Sequence, residues 1–326
     1  MNALLSRWMP LNDPSAVGAA RRMAVEAARQ RGADEQLLGR LALIVTELGT
    51  NVVRHAGGGQ LLLSAAADGP GLEVLTLDRG PGIEHLPSAM RDGYSTQGSA
   101  GNGLGGVGRL ADLFDVYSDD QGTVFSALVG SAEAVRAHDV GVVVRPHPNE
   151  TVSGDHAYVV QDGPTLCLTL LDGLGHGPAA ALVTEVAGTV LAGAPVQPLA
   201  RLQALHLGLR DTRGAVAAVV TLNGSDGVVA GLGNISVTCQ SVSAHRTFVM
   251  TPGTLGHQWT PPREQPLTLT PGEVLVMHSD GVQTRWRLDR YPGLAQRRAI
   301  VIAAVLLRDL GRGPDDASVA VVKVRP

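Results

Sequence analysis

Hydrophobic residues in the first part of the chain recur with helical spacing and then with strand-like spacing. An aspartate–proline pair beginning at Asp13 supplies a helix cap and a first turn, so we predict a helix over about 13–32. A second amphipathic helix is expected over about 34–55. The apolar runs 60–67 and 71–78, separated by turn residues, predict two strands.

A glycine-rich stretch at 93–108 interrupts this pattern and leads into another helical one. The sequence VGRLADLF, at 107–114, is expected to be a helix, and the runs FDVYSD and TVFSALV that follow predict a pair of strands. Together these elements close one α+β unit near residue 130.

Beyond a short connector the chain changes to short runs rich in β-branched residues. Helices are expected at 178–193, 198–210 and about 294–310, so this part should have a β-rich core with helices outside it. The strand-like runs are GVVVRP, DHAYVV, TLCLTLLD, GAVAAVVTL, GVVAGLG, ISVTCQSV, RTFVMTP, EVLVMHSD and ASVAVVKV.

Length and composition support two ordered domains. The chain has 326 residues, which exceeds the usual size of one domain. Its content of 44% hydrophobic and 17% charged residues is typical of folded globular proteins. We expect one domain over 1–130, a linker over 131–137 and a second domain over 138–326.

Charge and cysteine content narrow the class of partners and the compartment. The net charge is -4 and no basic block is present, so neither nucleic acid nor an anionic membrane is favoured as a partner. Cys167 and Cys239 lie in apolar runs, which favours buried free thiols in a reducing compartment. The start of the chain lacks a signal-like core, and the apolar run at 299–307 is too short to span a bilayer, so we expect a cytoplasmic protein.

The distribution of lysine excludes two common kinds of ATP site. Lys323 is the only lysine and lies near the C-terminal end, so the chain has neither a P-loop lysine nor the strand lysine of protein kinases. ATP chemistry in this chain would therefore need a different scaffold.

The second predicted helix carries a possible reactive pair. Glu47 and Asn51 are four residues apart, which places them on one helix face about 5–6 Å apart. An amide oxygen can ligate Mg²⁺ while a carboxylate orients a water or accepts a hydroxyl proton. Taken alone, such a pair is more often simply solvated.

Two further segments could contact a nucleotide. Asp78 ends a strand in LDRGPGI and could accept a hydrogen bond from an adenine amino group, while Gly80 and Gly82 would leave room for a flat ligand. The GxGxxG pattern at 101–106 opens a helix, where backbone amides can bind phosphate. Each signal alone is weak, and a polar turn is the alternative interpretation of Asp78.

In combination these segments resemble the N, G1 and G2 boxes of the GHKL ATPase/kinase superfamily. The similarity covers most of 13–130 and is greatest to the RsbT-type and RsbW-type serine/threonine kinases of bacterial partner switching. It rests on ELGTNVVRHAGGGQL, LDRGPGI, MRDGYSTQG and GNGLGGVGRLADLFDVYS. The resemblance implies a two-layer α/β (Bergerat) sandwich that binds Mg-ATP and phosphorylates a serine or threonine of a STAS-domain protein.

The same resemblance implies a role for each matching residue. Glu47 would be the catalytic base and Asn51 the Mg²⁺ ligand, while Asp78 would contact adenine. The residues expected to line the nucleotide are Gly80, Gly82, Gly101, Gly103, Gly106 and Thr123.

The segment LTLLDGLGHGPAA, at 168–180, poses a choice between a phosphate-binding turn and a metal site. An ionised carboxylate at Asp172 would repel a pyrophosphate unless a cation lay between them. Asp155, Asp280 and the pair at 315–316 also lie at strand ends, and bringing them together without a cation would be costly. Two hard divalent cations would relieve that repulsion, although each aspartate alone is more often a turn or cap residue.

As a set, these aspartates resemble those of the metal-dependent type 2C serine/threonine phosphatases of the SpoIIE group, with its short RsbX-type members. The similarity covers about 138–326 and rests on SGDHAYVV, LLDGLGHGPAAA, VLVMHSDGV and DDASVAV in that order. It implies a β-sandwich flanked by helices that binds two Mn²⁺ or Mg²⁺ ions at one edge.

The phosphatase resemblance also implies a ligand set. Asp155 and Asp172 would bridge or flank the two ions and would be catalytic through them, with Asp280 completing the site. The Gly173 carbonyl would be a further ligand, as would Asp315, which is preferred to its neighbour because the first of the pair matches the family. His176 could contact substrate phosphate, but a structural role at a helix start is the safer interpretation.

These observations lead to the hypothesis of a bifunctional partner-switching regulator of bacterial stress or sigma-factor signalling. A kinase domain would phosphorylate a STAS-domain protein, of the anti-anti-sigma or stressosome type, and a phosphatase domain would dephosphorylate the same or a related one. The alternative is a phosphatase whose ATP-binding half is a non-catalytic switch that sequesters or activates partners. A histidine kinase is disfavoured because no phosphoacceptor helix is expected before the ATP-binding part.

Overall fold

The computed structural model describes residues 6–66, 69–90, 103–131 and 137–325. The chain forms two compact units, Asn2–Ala134 and Val135–Pro326. The elements of the N-terminal unit are β1 (Ser6–Leu11), α1 (Pro14–Gln30), α2 (Glu35–Asn51), β2 (Gly59–Ala65), β3 (Leu72–Asp78), α3 (Leu86–Ala89), α4 (Leu104–Leu110), β4 (Leu113–Asp119) and β5 (Gly122–Val129).

The N-terminal unit is one antiparallel sheet covered by helices. Its strand order is β1-β2-β3-β5-β4. The Asp13 carboxylate caps α1 by accepting from the backbone N–H groups of Ser15 (2.7 Å) and Ala16 (3.0 Å). Apolar side chains of α1 and α2 then pack on alternate residues of the strands in one buried core. This arrangement agrees with the expected two-layer sandwich.

Three local features of this unit differ from the sequence predictions. Ser6–Leu11 forms an edge strand paired with β2, although its Pro10 and its irregular polarity gave no strand pattern. The helix predicted to continue to residue 55 is α-helical only to Asn51, and Val52–Ala56 forms a π-helical turn that ends at a left-handed Gly57. The helix predicted over 107–114 ends earlier, because the end of that segment joins the sheet as β4.

The C-terminal unit contains two sheets and three helices of more than one turn in its described part. Its elements are β6 (His138–Arg145), β7 (Asp155–Asp162), β8 (Thr165–Gly173), α5 (Pro178–Ala192), α6 (Pro198–Gly208), β9 (Ala215–Asn223), β10 (Asp226–Leu232), β11 (Ser236–Gln240), β12 (His245–Phe248), β13 (Gln265–Thr268), β14 (Val274–His278), α7 (Ala299–Leu310) and β15 (Ala317–Val324), with short 3₁₀ turns at Leu288–Arg290 and Leu294–Gln296.

The two sheets face each other across an apolar core. One has the order β13-β10-β9-β8-β7 and the other β12-β11-β14-β15-β6, with antiparallel neighbours throughout. Alternate residues of both sheets form the central core, whereas α5 and α6 pack on the outer face of the first sheet and α7 packs on β6 and β15. The expected β-sandwich flanked by helices is confirmed.

Several finer expectations for this unit can also be compared with the structure. Cys167 and Cys239 are buried free thiols, as predicted. The helix expected from about 294 begins at Ala299, and Gln265–Thr268 is a strand that the sequence pattern did not indicate. No helix in the described part of the chain has the length and hydropathy needed to cross a bilayer.

Candidate functional site

The first candidate site starts at the C-terminal end of α2. Glu47 and Asn51 lie one helical turn apart, are half-buried, and make no side-chain hydrogen bond to another described residue. The helix is fixed from its other side, because Leu38, Leu41 and Val45 are buried in the core. Both polar groups therefore remain available to a ligand on one face of a rigid helix.

Asp78 lies next to this helix end, at the last position of β3. Its side chain is buried, and Oδ1 accepts from the backbone N–H groups of Gly80 (2.9 Å) and Thr123 (3.1 Å). Thr123 is itself buried and its hydroxyl is 2.9 Å from that of Ser118. Two backbone amides thus hold one carboxylate oxygen in a fixed direction.

Glycines permit the close backbone contacts around Asp78. A Cβ on Gly80 would lie 2.7 Å from the Cβ of Ala56, so the π-helical turn approaches the loop after β3 only because this residue is glycine. Gly82 and Gly122 have φ of +75° and +131°, and a Cβ on them would lie 2.0 Å from the Asp119 carbonyl oxygen and 2.1 Å from the Asp78 carbonyl oxygen. The structure therefore brings the helix end, Asp78 and these glycines together.

The phosphate-binding segment is described only in part. Gly101 lies outside the described residues. Gly103 immediately precedes α4 and its carbonyl accepts from Gly106 N–H (3.0 Å), which places both at the first turn of that helix. Arg40 of α2 holds the far end of α4 through a 2.7 Å hydrogen bond from Nε to the Leu110 carbonyl. This bond anchors the C-terminal end of α4 to α2.

The second candidate site is an acidic centre formed by Asp155, Asp172, Asp280, Asp315 and Asp316. Asp155 and Asp172 are directly opposite each other on the paired strands β7 and β8. Asp280 follows β14, and the 315–316 pair precedes its neighbour β15. The segments touch, since a Cβ on Gly281 would lie 1.9 Å from the Asp316 carbonyl oxygen. The strand ends that carry these aspartates therefore lie next to one another.

The carboxylates of the acidic centre act on one another electrostatically. Burial raises the pKa of Asp172, and the negative charges of Asp155 and Asp280 raise it further. Burial also raises the pKa of Asp155, partly opposed by the hydroxyls of Ser279 and Ser318. Desolvation and like charge thus favour protonated carboxyls unless a cation enters.

The neighbouring aspartates of the 315–316 pair have different surroundings. Asp316 is buried, and its two oxygens accept from the backbone N–H groups of His147 (2.6 Å) and Gly154 (2.7 Å). Asp315 is half-buried, and burial followed by the charge of Asp280 raises its pKa. Asp315 Oδ1 accepts only from the Asp316 backbone N–H, at 2.9 Å, so among the described residues its Oδ2 has no hydrogen-bond partner and Asp315 stays the preferred candidate ligand.

The donor set fits hard divalent cations. Asp155 Oδ2 is buried without a hydrogen-bond partner among the described residues, and an orphaned carboxylate oxygen in an all-oxygen site is what Mg²⁺ or Mn²⁺ would satisfy. Asp280 accepts instead from Asn234 Nδ2 at 2.9 Å. Within the described chain no three acidic, histidine or cysteine side chains stand in a closed metal-binding arrangement.

Glycines also shape the turn that follows Asp172. Gly173 N–H donates to the Gly154 carbonyl at 2.9 Å, and a Cβ on Gly154 would lie 2.6 Å from Ala180. The residue before β7 can therefore approach the first turn of α5 this closely only because it is glycine. These contacts place the Gly173 backbone beside the acidic centre, where its carbonyl could be a ligand.

Two residues beside this centre were missed by sequence reasoning. The ring of His147 stacks on His176 at 4.4 Å between centroids, and Glu150 Oε1 is 3.3 Å from His176 Nδ1. The structural role proposed for His176 is therefore supported by its contacts. No motif marks His147 or Glu150, because both lie in the irregular connection between β6 and β7.

Comparisons with known proteins agree with this architecture. Residues 11–127 match the family described as "Histidine kinase-like ATPase domain". The serine/threonine-protein kinase RsbT of Bacillus subtilis (strain 168) is 37% identical over 129 residues, which cover 36% of this chain and 97% of RsbT.

Solved structures extend the similarity beyond the N-terminal unit. A structure from a study of the bacterial stressosome as a modular system that controls secondary messenger signalling is 29% identical with a TM-score of 0.52, and it covers 57% of this chain and 99% of that one. This share is larger than Asn2–Ala134 can supply, so the match includes the C-terminal unit. A structure of RsbX in complex with magnesium is 16% identical, covering 65% of this chain and all of that chain, with a TM-score of 0.48.

Proposed function

Because the chain belongs to the family of the serine/threonine-protein kinase RsbT, we propose that its N-terminal unit transfers phosphate from ATP to a protein hydroxyl group. We further propose that the C-terminal unit removes phosphate from a phosphoserine or phosphothreonine by metal-assisted hydrolysis. The whole chain would then be a two-way regulator of the phosphorylation of one class of partner protein.

In the proposed kinase site, each residue has a task that its surroundings support. Asp78, with Oδ1 fixed by two backbone amides, would accept from the adenine amino group in the pocket shaped by Gly80 and Gly82. Asn51 would ligate Mg²⁺, and Glu47, one turn away, would accept the proton of the attacking hydroxyl. Gly101, Gly103, Gly106 and Thr123 would lie along the phosphates.

In the proposed phosphatase site, carboxylates from four segments would hold two divalent ions. The supporting observation is the convergence of Asp155, Asp172, Asp280 and Asp315, with burial and like charge raising the pKa of three of them. Bound ions would supply a nucleophilic water at neutral pH and offset charge on the phosphoryl oxygens. Asp316 would keep the loop before β7 in place through its two backbone hydrogen bonds.

We propose STAS-domain proteins as the shared substrates. The support is the relation to RsbT and the similarity to a structure from a stressosome study, together with a chain net charge of -4 that does not favour nucleic acid as a partner. Because the two units are linked in one chain, binding of one unit to a complex that contains such a protein would give the other unit a high effective concentration near it.

Transfer and release of labelled phosphate would test both activities. The chain is incubated with γ-labelled ATP, Mg²⁺ or Mn²⁺ and candidate STAS proteins, and labelling is followed with Glu47→Ala and Asp172→Ala. We expect Glu47→Ala to abolish labelling while ATP binding persists, and Asp172→Ala to increase the steady-state label because release stops.

The alternative function, in which the ATP-binding unit is only a switch, gives a different pattern. It predicts ATP-dependent binding of a STAS protein without labelling, and no difference between wild type and Glu47→Ala. If neither variant changes labelling or release, both assignments fail.

A further inference from the structure

The segment before β9 is fastened to the turn that leaves the acidic centre. Gly173 pairs with Ala215, and Leu174 N–H donates to the Gly214 carbonyl at 3.0 Å, so the antiparallel register continues past the end of the ladder. The next pair in that register is Gly175 with Arg213. The turn after Asp172 and the arginine are therefore neighbours by strand pairing.

The backbone of this arginine is held on both sides. His257 Nε2 is 3.0 Å from the Arg213 carbonyl oxygen, and Gly214 N–H donates to Thr212 Oγ1 at 3.0 Å. Gly214 has a φ of +84°, and a Cβ there would lie 2.6 Å from the ring of His257. The direction in which the Arg213 side chain leaves the backbone is thus fixed.

The guanidinium group lies over Gly175. Its Nη1 lies 3.1 Å from the place where a Cβ of Gly175 would stand, and Gly175 has a φ of +92°. A side chain at this position would be strained and would crowd the guanidinium. Glycine leaves Arg213 room to lie along the turn.

The charge of Arg213 has no partner among the residues that the structure describes. Among the described residues its guanidinium makes no hydrogen bond or ion pair, whereas Arg145 donates to the Arg312 carbonyl and Arg201 to Thr169. Asp211 is close in sequence but likewise forms no ion pair within the described chain. Arg213 is exposed, so a ligand from solution can reach it.

Its surroundings form a basic rim, defined as Arg210, Arg213 and His257. Burial lowers the pKa of His206, and its electrostatic interactions with Arg210 and His257 lower it further, so both residues lie near His206. Gly173 and Ala215 are the last paired residues of β8 and β9, so Arg213 lies beyond the end of these strands and beside Gly175, which follows Asp172 in the turn. A substrate segment that runs from the reacting phosphate along this turn would therefore meet Arg213.

We propose that Arg213 is a specificity-determining residue that pairs with an acidic side chain of the protein substrate, a short distance along its chain from the phosphorylated residue. The inference rests on the proposed phosphatase activity. An acidic partner fits because the rim offers an unpaired planar guanidinium, whose geometry matches a carboxylate.

A comparison of three substrates would test this role. The full chain, loaded with Mn²⁺, is assayed on a phosphoserine peptide with flanking glutamates, on the same peptide with glutamines, and on p-nitrophenyl phosphate. For Arg213→Gln we expect kcat/KM on the glutamate peptide to fall about threefold to fivefold through KM, as for a solvent-accessible ion pair. The other two substrates should change little, and Arg213→Lys should recover part of the loss.

The matched control is Arg290→Gln, which removes the same charge from another exposed arginine of the C-terminal unit. An equal effect from this variant, an equal loss on the glutamine peptide, or no loss at all would overturn the proposal.

A binding measurement separates this proposal from the proposed activity. Fluorescence anisotropy of the labelled glutamate peptide is measured with Asp172→Asn, alone and combined with Arg213→Gln. The arginine contact is supported if the double variant binds the glutamate peptide more weakly than Asp172→Asn does, while both bind the glutamine peptide equally. This result would hold even if the wild type hydrolyses no substrate. Unchanged binding would contradict it.

Discussion

The two candidate sites each place a buried aspartate at a strand end, but they satisfy its carboxylate in opposite ways. Asp78 has one oxygen held by the backbone amides of Gly80 and Thr123. Asp155 has an oxygen without a partner in the described chain, and burial together with the charges of Asp316 and Asp280 raises its pKa. The Asp78 carboxylate is thus held by hydrogen-bond donors of the protein, whereas the Asp155 carboxylate faces other carboxylates.

This difference indicates what each site can bind. A carboxylate held by amides is pre-organised to accept one more neutral donor, such as an amino group of a base, without an ion. A group of carboxylates with raised pKa values holds its charge only when cations join it. Both sites use aspartate, so it is the surroundings of each carboxylate that indicate whether it suits a nucleotide or a divalent ion.

Asp316 offers the largest test of this comparison, because it belongs to the acidic centre but is satisfied in the same way as Asp78. Replacing it with alanine leaves the amides of His147 and Gly154 without their acceptor. We expect Asp316→Ala to lower the free energy of unfolding by about 3 kcal/mol, measured by urea denaturation. Asp315→Ala, the matched control, should cost little in metal-free buffer. Equal losses would remove the distinction between the two residues.

Divalent ions provide the next test. Binding to the folded chain alone stabilises it by about 2.7 kcal/mol at a concentration 100 times the dissociation constant. We expect Mn²⁺ to raise the melting temperature of the wild type and of Asp78→Asn, but not that of Asp172→Asn. A Mn²⁺ response that persists in Asp172→Asn would show that the ions bind elsewhere.

Much of both sites was accessible from sequence because the key residues adjoin strong local patterns. Asp172 and Asp280 each end or follow a buried apolar run, and Asp78 ends β3 before two glycines. Since antiparallel neighbours bring strand ends to one edge, such residues can be predicted to meet. Their hydrogen-bond partners could not be predicted in the same way.

The features that sequence did not indicate depend on tertiary contacts. Ser6–Leu11 is a strand because β2 offers it an edge, despite Pro10 within it. His147 and Glu150 meet His176 through a connection without periodicity. The distinction between Asp315 and Asp316 needs the positions of backbone amides from a loop more than 160 residues away in the chain.

Glycine substitution tests the contacts that complete the Asp78 site. Gly122→Ala would bring a Cβ to 2.1 Å from the Asp78 carbonyl oxygen at a φ of +131°. Gly32→Ala is the control, since its φ of +87° strains alanine but no atom lies within 4 Å. We expect Gly122→Ala to cost about 2 kcal/mol more than Gly32→Ala in thermal unfolding of the N-terminal unit, and to weaken ATP binding in calorimetry. Equal costs would mean that close packing there is unimportant.

The pH dependence of stability gives the smallest expected effect. Burial and neighbouring charges raise the pKa of Asp155 and Asp172 in the folded chain, so between the ordinary aspartate pKa, about 4, and the raised values the folded state binds more protons than the unfolded state. Without divalent ions, stability contributed by these protons is therefore present at low pH and is lost as pH rises through that interval.

We expect Asp172→Asn to remove roughly 1 kcal/mol of that decline in EDTA, measured as the melting temperature from pH 5 to pH 8. Asp78→Asn serves as the control and should leave the decline in place, because the backbone amides that hold Asp78 do not depend on cations. Saturating Mn²⁺ should have the same effect on the wild type as the Asp172→Asn substitution has in EDTA, since ions replace protons in offsetting the carboxylate charge. A decline that is identical in Asp172→Asn would show that the acidic centre tolerates its charge unaided, and the contrast between the two sites would then be wrong.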